Sequence, residues 1–109
     1  MYSEILNNTY HIFVGQNQKE NDWLIRNTIE PALWFHVDGI SSPHGILIGI
    51  NDTQYDKQAI YRTACLVKRF SKASKEHNIR IQYTDIKNIQ TTHKEGLVKL
   101  TKSPKIIKV

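Results

Sequence analysis

Residues 55–77 are the one long stretch of this chain whose apolar side chains recur at helical spacing. Ile60, Ala64, Val67 and Phe70 stand 4, 3 and 3 residues apart, the stripe that an amphipathic helix turns toward a core. Ala59, Thr63, Leu66 and Ala73 widen it, and His77-Asn78 supplies a stop because Asn tolerates the left-handed cap conformation. The segments around this stretch are short and mostly rich in β-formers, so a lone long helix must lie over a sheet. The expected fold class is α+β: a mainly antiparallel sheet with one long helix (about 55–77) packed on one face and a short N-terminal helix.

The strands read off local patterning. Tyr2–Leu6 and Tyr10–Val14 flank the turn-prone Asn7-Asn8-Thr9 and predict a hairpin. Gly15 breaks the second strand, Asn17 caps a short helix over about 19–26, and Pro31 separates that helix from the next strand. Ala32–Val37 ends at the turn pair Asp38-Gly39, and the apolar His44–Ile50 returns beside it as an antiparallel neighbour. Ile79–Tyr83, Asn88–Thr92, Leu97–Leu100 and Lys105–Val109 complete a C-terminal set of strands. A hydrophobic fraction of 39% over 109 residues fills one core, which predicts a single domain across 1–109.

Several classes are excluded or disfavoured. The longest apolar run, Gly45–Ile50, is far short of the roughly 20 residues of a membrane span. The first residues lack a basic segment followed by an apolar one, so no secretory leader is expected; the cytoplasm is the expected compartment and the nucleus the alternative. The single cysteine, Cys65, leaves no internal disulfide and no cysteine-cluster zinc site, and reads as a small buried hydrophobe. Gly39, Gly45 and Gly49 match neither common phosphate-binding loop.

The net charge of +5 hides an asymmetry. Residues 1–56 carry two bases against seven acids, net −5, whereas residues 57–109 carry thirteen against three, net +10. Such a basic half suits a polyanionic partner, although composition alone is equally consistent with a surface that keeps the protein soluble. Lys68, Arg69, Lys72 and Lys75 on the helix, with Arg80, Lys87, Lys94 and Lys99 after it, would form a stripe able to follow a phosphate backbone. Tyr83 and His93 lie among them and can stack on unpaired bases; for Tyr83, packing within the sheet is the better alternative.

The densest chemistry lies at His36-Val-Asp38-Gly-Ile-Ser41-Ser42-Pro-His44. These residues include a base, a carboxylate and hydroxyls, the ingredients of a hydrolase or nuclease. No spacing rule supports a triad, His36 and His44 are not a helical i, i+4 metal pair, and no third ligand stands nearby. Polar groups holding a tight loop at strand ends are the favoured reading. No catalytic residue, metal, cofactor or small-molecule substrate is expected.

The chain also resembles a known family. Tyr10–Ile25, Leu33-Trp-Phe-His-Val37 with Ser41, Ser42 and His44 downstream, Ala64–Lys72, Ile81–Ile89 and Gly96–Leu100 resemble, in order, the segments of the NFACT-R domain. Trp-Phe-His-Val-Asp with Ser-Ser-x-His is most similar to the small eukaryotic coiled-coil-domain proteins built on this domain, and the expectation is the domain without their coiled-coil tail. It is less similar to the large ribosome-quality-control factors. The resemblance implies a non-enzymatic RNA-binding module of translation, whose partner is tRNA, ribosomal RNA or the ribosome. Its expected surface comprises His36, Ser41, Ser42 and His44 with Lys68, Arg69, Lys72, Lys75, Arg80 and Lys87. A ribosome adaptor without RNA contact and a DNA-binding module are the alternatives.

Overall fold

The computed structural model describes residues 1–109. The order along the chain is β1 (Tyr2–Leu6), β2 (Tyr10–Gly15), α1 (Gln18–Asn27), β3 (Leu33–Val37), β4 (His44–Gly49) and α2 (Lys57–Arg69). There follow β5 (Arg80–Asp85), β6 (Ile89–Thr91), β7 (Val98–Leu100) and β8 (Lys105–Lys108). Six strands form an antiparallel sheet in the order β1-β2-β4-β3-β5-β8, and β6 and β7 form a separate two-stranded hairpin. The β1–β2 hairpin turns through Asn7 and Asn8, both at positive φ (52° and 58°), the combination that matches the twist of the flanking strands. Helix α1 begins where expected: the Asn17 side chain accepts from the Glu20 amide.

Alternate residues of the strands face two separate cores. On one side Ile12, Val14, Phe35, Val37, Leu47 and Ile81 pack against Ala59, Ala64, Leu66 and Val67 of α2. Gly45 makes this approach possible, because a Cβ there would sit 2.6 Å from a methyl of Val67 and 3.2 Å from the Cβ of Phe35. On the other side Trp34 and Ile46 pack with Leu24 of α1 and Ile89 of β6. Arg26 ties α1 to the hairpin, donating to the Thr91 hydroxyl and the Thr92 carbonyl. The sheet is therefore covered on both faces, by α2 on one and by α1 with β6–β7 on the other.

The long helix is shorter than its apolar stripe predicts. α2 ends at Arg69, not near residue 77, and Lys72 and Lys75 lie on the irregular segment after it. Ser71 is the physical reason: its hydroxyl donates to the Lys68 carbonyl at 2.7 Å and accepts from the Ala73 amide at 3.1 Å. A hydroxyl that satisfies these backbone groups offers the chain an alternative to continuing the helix. Phe70 still meets Tyr2 at 5.1 Å between ring centroids, and Ala73 is still buried, so the stripe persists in the sequence after the helix has stopped. Asn78 does take a left-handed φ of 54°, at the entry to β5 instead of the end of α2.

Candidate nucleic-acid interface

The register of β3 and β4 brings the 36–44 segment to one end of the sheet, facing α1. His44 opens β4 opposite Gly15, and its amide donates to the Asn21 side-chain oxygen at 3.0 Å. Gly15 allows this, because a Cβ there would collide with that same oxygen. The indole N–H of Trp34 donates to Nδ1 of His44 at 3.1 Å, and the His36 ring stacks on Trp34 at 5.6 Å with 15° between planes. His36 and His44 meet edge to face at 5.1 Å. Nδ1 of His36 donates to the Val37 carbonyl at 2.6 Å. Burial holds both imidazoles below the usual histidine range, His44 down to about 3.

The loop between the strands is braced by Ser42, whose hydroxyl accepts from the Val37 amide at 3.0 Å and donates to the Pro43 carbonyl at 2.8 Å. Asp38 pairs with Arg80 at 3.2 Å. These bonds oppose a hydrolytic arrangement: the carboxylate holds Arg80 instead of orienting a histidine, and the Ser42 hydroxyl is spent on the loop backbone. No group of three or more His, Cys, Asp or Glu side chains is placed to hold a metal ion.

Two clefts meet at this end. One, of about 450 Å³, runs between the loop and the β6–β7 turn and is lined by His36, His44 and Lys94 among others. The second, of about 230 Å³, reaches toward the segment after α2 and is lined by Phe70, Ser71 and Lys72. Gln18, Asn21, Ser41 and Ser42 line both, so the two form a continuous groove with Lys72 toward one mouth and Lys94 toward the other. Neither lysine is in an ion pair.

The expected site residues divide accordingly. His36, Ser41, Ser42, His44 and Lys72 come together in the groove. Arg69 is exposed next to it, its guanidinium 5.8 Å from the Phe70 ring, and Lys75 is exposed on the segment after Lys72. Lys68 is spent elsewhere, donating to the Val109 carbonyl at 3.1 Å, and Arg80 is held by Asp38. Lys87 shares a different cleft, of about 570 Å³, with Tyr55, Tyr83, Lys102 and Lys105. The basic residues thus divide among different clefts and partners, because α2 stops early and the strands after it carry their lysines to different places. Tyr83 stacks on Phe35 at 5.4 Å, the packing role within the sheet. Gln18, Asn21 and Trp34 were not among the expected site residues; the Gln-x-x-Asn spacing, which places two amides on one helix face, was the available signal.

Comparison with known proteins assigns the architecture. The sequence profile described as the NFACT protein RNA binding domain matches residues 2–101. The chain belongs to this family. It is similar to coiled-coil domain-containing protein 25 of Mus musculus, 33% identical over 94 residues, covering 83% of this chain and 45% of that protein. It is also similar to Rqc2 homolog RqcH of Bacillus subtilis, 29% identical over 80 residues, covering 72% of this chain and 14% of that protein. The chain therefore spans less than half the length of these relatives. The C-terminal part of the fibronectin/fibrinogen-binding protein from Streptococcus suis has the same fold, with a TM-score of 0.86 at 23% identity over 98% of this chain and 43% of that one. No helix is long and apolar enough to cross a membrane.

Proposed function

We propose that this chain is a non-enzymatic RNA-binding module that engages tRNA or ribosomal RNA in the cytoplasm, in association with the ribosome and translation quality control. The observation that carries the reading is the groove at the 36–44 end, with an unpaired lysine toward each mouth, hydrogen-bonding side chains between them and Glu95 beside Lys94 as its one carboxylate. Such a groove suits a phosphate backbone at its mouths and unpaired nucleotides along its floor. Membership of an RNA-binding domain family supports the ligand class. Similarity to the Rqc2 homolog RqcH supports the setting. Arg69, Lys72, Lys75 and Lys94 are the phosphate contacts we expect; Lys68 and Arg80 have partners in the protein, and Lys87 lines another cleft.

Filter binding to total tRNA across a salt series tests this reading. About four phosphate contacts give a log–log slope of roughly −3 on single strands. Reversing Lys72 and Lys94 to Glu together should lower the affinity and flatten the slope. Undetectable binding at low salt, or binding indifferent to salt, rejects RNA as the ligand. Equal competition by single-stranded DNA widens the ligand to nucleic acid in general. Co-sedimentation with ribosomes through a sucrose gradient tests the setting separately.

A further inference from the structure

The two histidines in the groove are restricted to particular tautomers by their partners. An indole N–H only donates, so Nδ1 of His44, which receives it at 3.1 Å, carries no proton, and the ring proton sits on Nε2. A carbonyl only accepts, so Nδ1 of His36, 2.6 Å from the Val37 oxygen, carries the proton, and Nε2 of the neutral ring is a bare acceptor. Neither Nε2 has a hydrogen-bond partner in the protein, and neither is sealed from solvent. Both rings line the same cleft of about 450 Å³, edge to face at 5.1 Å, with Trp34 stacked behind His36.

We propose that His36 and His44 together read the hydrogen-bonding edge of one unstacked nucleobase lodged in this cleft, His44 Nε2–H donating to the base and His36 Nε2 accepting from it. This deepens the RNA-binding reading and rests on it. The pair is chemically selective against the other candidate occupants. A phosphate offers only acceptors and would leave the His36 lone pair facing an anion. A metal ion would find a single lone pair, on His36 Nε2, would leave the His44 proton unpaired, and has no cluster of three ligating side chains to join. A ligand that satisfies both atoms must bring a donor beside an acceptor, as every nucleobase does along one of its edges. Burial keeps both rings neutral near pH 7. Lys72 and Lys94, toward the two mouths, are then placed for the phosphates on either side of the lodged nucleotide.

The test compares a short single-stranded RNA with an abasic oligonucleotide of equal length and equal phosphate number. His36→Phe keeps a ring against Trp34 and removes the acceptor; it should weaken binding of the intact strand about tenfold, the scale of a good bidentate base contact, and leave the abasic strand unaffected. Lys72→Glu should weaken both strands by similar factors. In the unmodified protein, the imidazole Nε2 nitrogen resonances of His36 and His44 should move on titration with the intact strand and stay in place with the abasic one. That measurement needs no variant and is independent of whether His36→Phe folds. If Lys72→Glu weakens RNA while the imidazole resonances stay still, the base-reading role is wrong and the RNA reading survives. If the unmodified protein binds neither strand at low salt, both fall.

Discussion

The two faces of the central sheet are built by different physics. Toward α2 the contact is apolar and close: Leu66 and Val67 are fully buried, and Gly45 lets the helix approach to where no side chain would fit. Toward α1 and β6–β7 the same strands present Trp34, His36 and His44, and polar side chains are buried with them; Asn21 is 6% exposed and His44 2%. One face is held by area removed from water, the other at its groove end by hydrogen bonds that must each be made. The first supplies a rigid sheet; the second spends some of that rigidity on displaying neutral donors and acceptors to a ligand. Separate perturbations of the two faces should therefore separate stability from binding.

The largest effect is expected on the α2 face. Leu66→Ala should cost about 3 kcal/mol, the usual scale for a fully buried leucine, and lower the melting temperature by roughly 10–20 °C. The groove lies at the end of the sheet and reaches the α2 side only through Phe70, Ser71 and Lys72, so RNA affinity of the folded protein should change less than twofold. A large loss of affinity with little loss of stability would break the division between the faces.

Acid should act through the other face. Both groove histidines are held neutral in the folded protein, so below pH 6.5 the unfolded chain binds protons that the folded chain does not. Stability is therefore lost as the pH falls from about 6.5, and His44, which resists protonation down to about 3, sustains the loss longest. Its contribution should reach about 2 kcal/mol by pH 5. Denaturant unfolding at pH 7 and pH 5 measures this difference, and His44→Gln should reduce it. An unchanged difference in that variant would remove His44 from the account.

Asn21→Ala isolates the polar bracing further. It deletes the acceptor of the buried His44 amide, and an unsatisfied buried N–H costs about 1–2 kcal/mol. The cost should come with a clear loss of RNA affinity, because the same side chain lines both parts of the groove. Leu66→Ala and Asn21→Ala should therefore rank oppositely in stability and in binding.

How far the fold is legible in the sequence depends on the range of the interactions. The β1–β2 hairpin, the Asn17 cap of α1 and the two apolar strands around Asp38-Gly39 rest on neighbours within a few residues, and each forms where expected. The end of α2 was hidden because Phe70 and Ala73 continue an apolar stripe while the Ser71 hydroxyl turns the backbone away. In the groove, the 36–44 segment was visible from its density of polar groups. The joining of Lys72 to Lys94 was not, since it depends on β6–β7 docking against α1 through Arg26 and through the Gly96 amide, which points to Asp22 at 3.4 Å. The distribution of the basic residues was hidden for the same reason: charge along a chain does not say which face each element will turn outward.

The smallest expected effect tests whether the α2 face depends on area alone. Arg62 of α2 holds Glu4 of the edge strand β1 with two bonds of 2.8 Å, and this keeps the Glu4 carboxyl below its usual range. The Arg62 side chain is 41% exposed, so water screens the pair and the stabilisation should be only about 0.5 kcal/mol. Glu4→Gln should therefore lower stability slightly at low salt and by less at 1 M salt, with no effect on RNA binding. A cost above about 2 kcal/mol would be the signature of a buried, indispensable pair. The α2 face would then depend on a polar contact as the groove face does, and apolar area alone would not account for its stability.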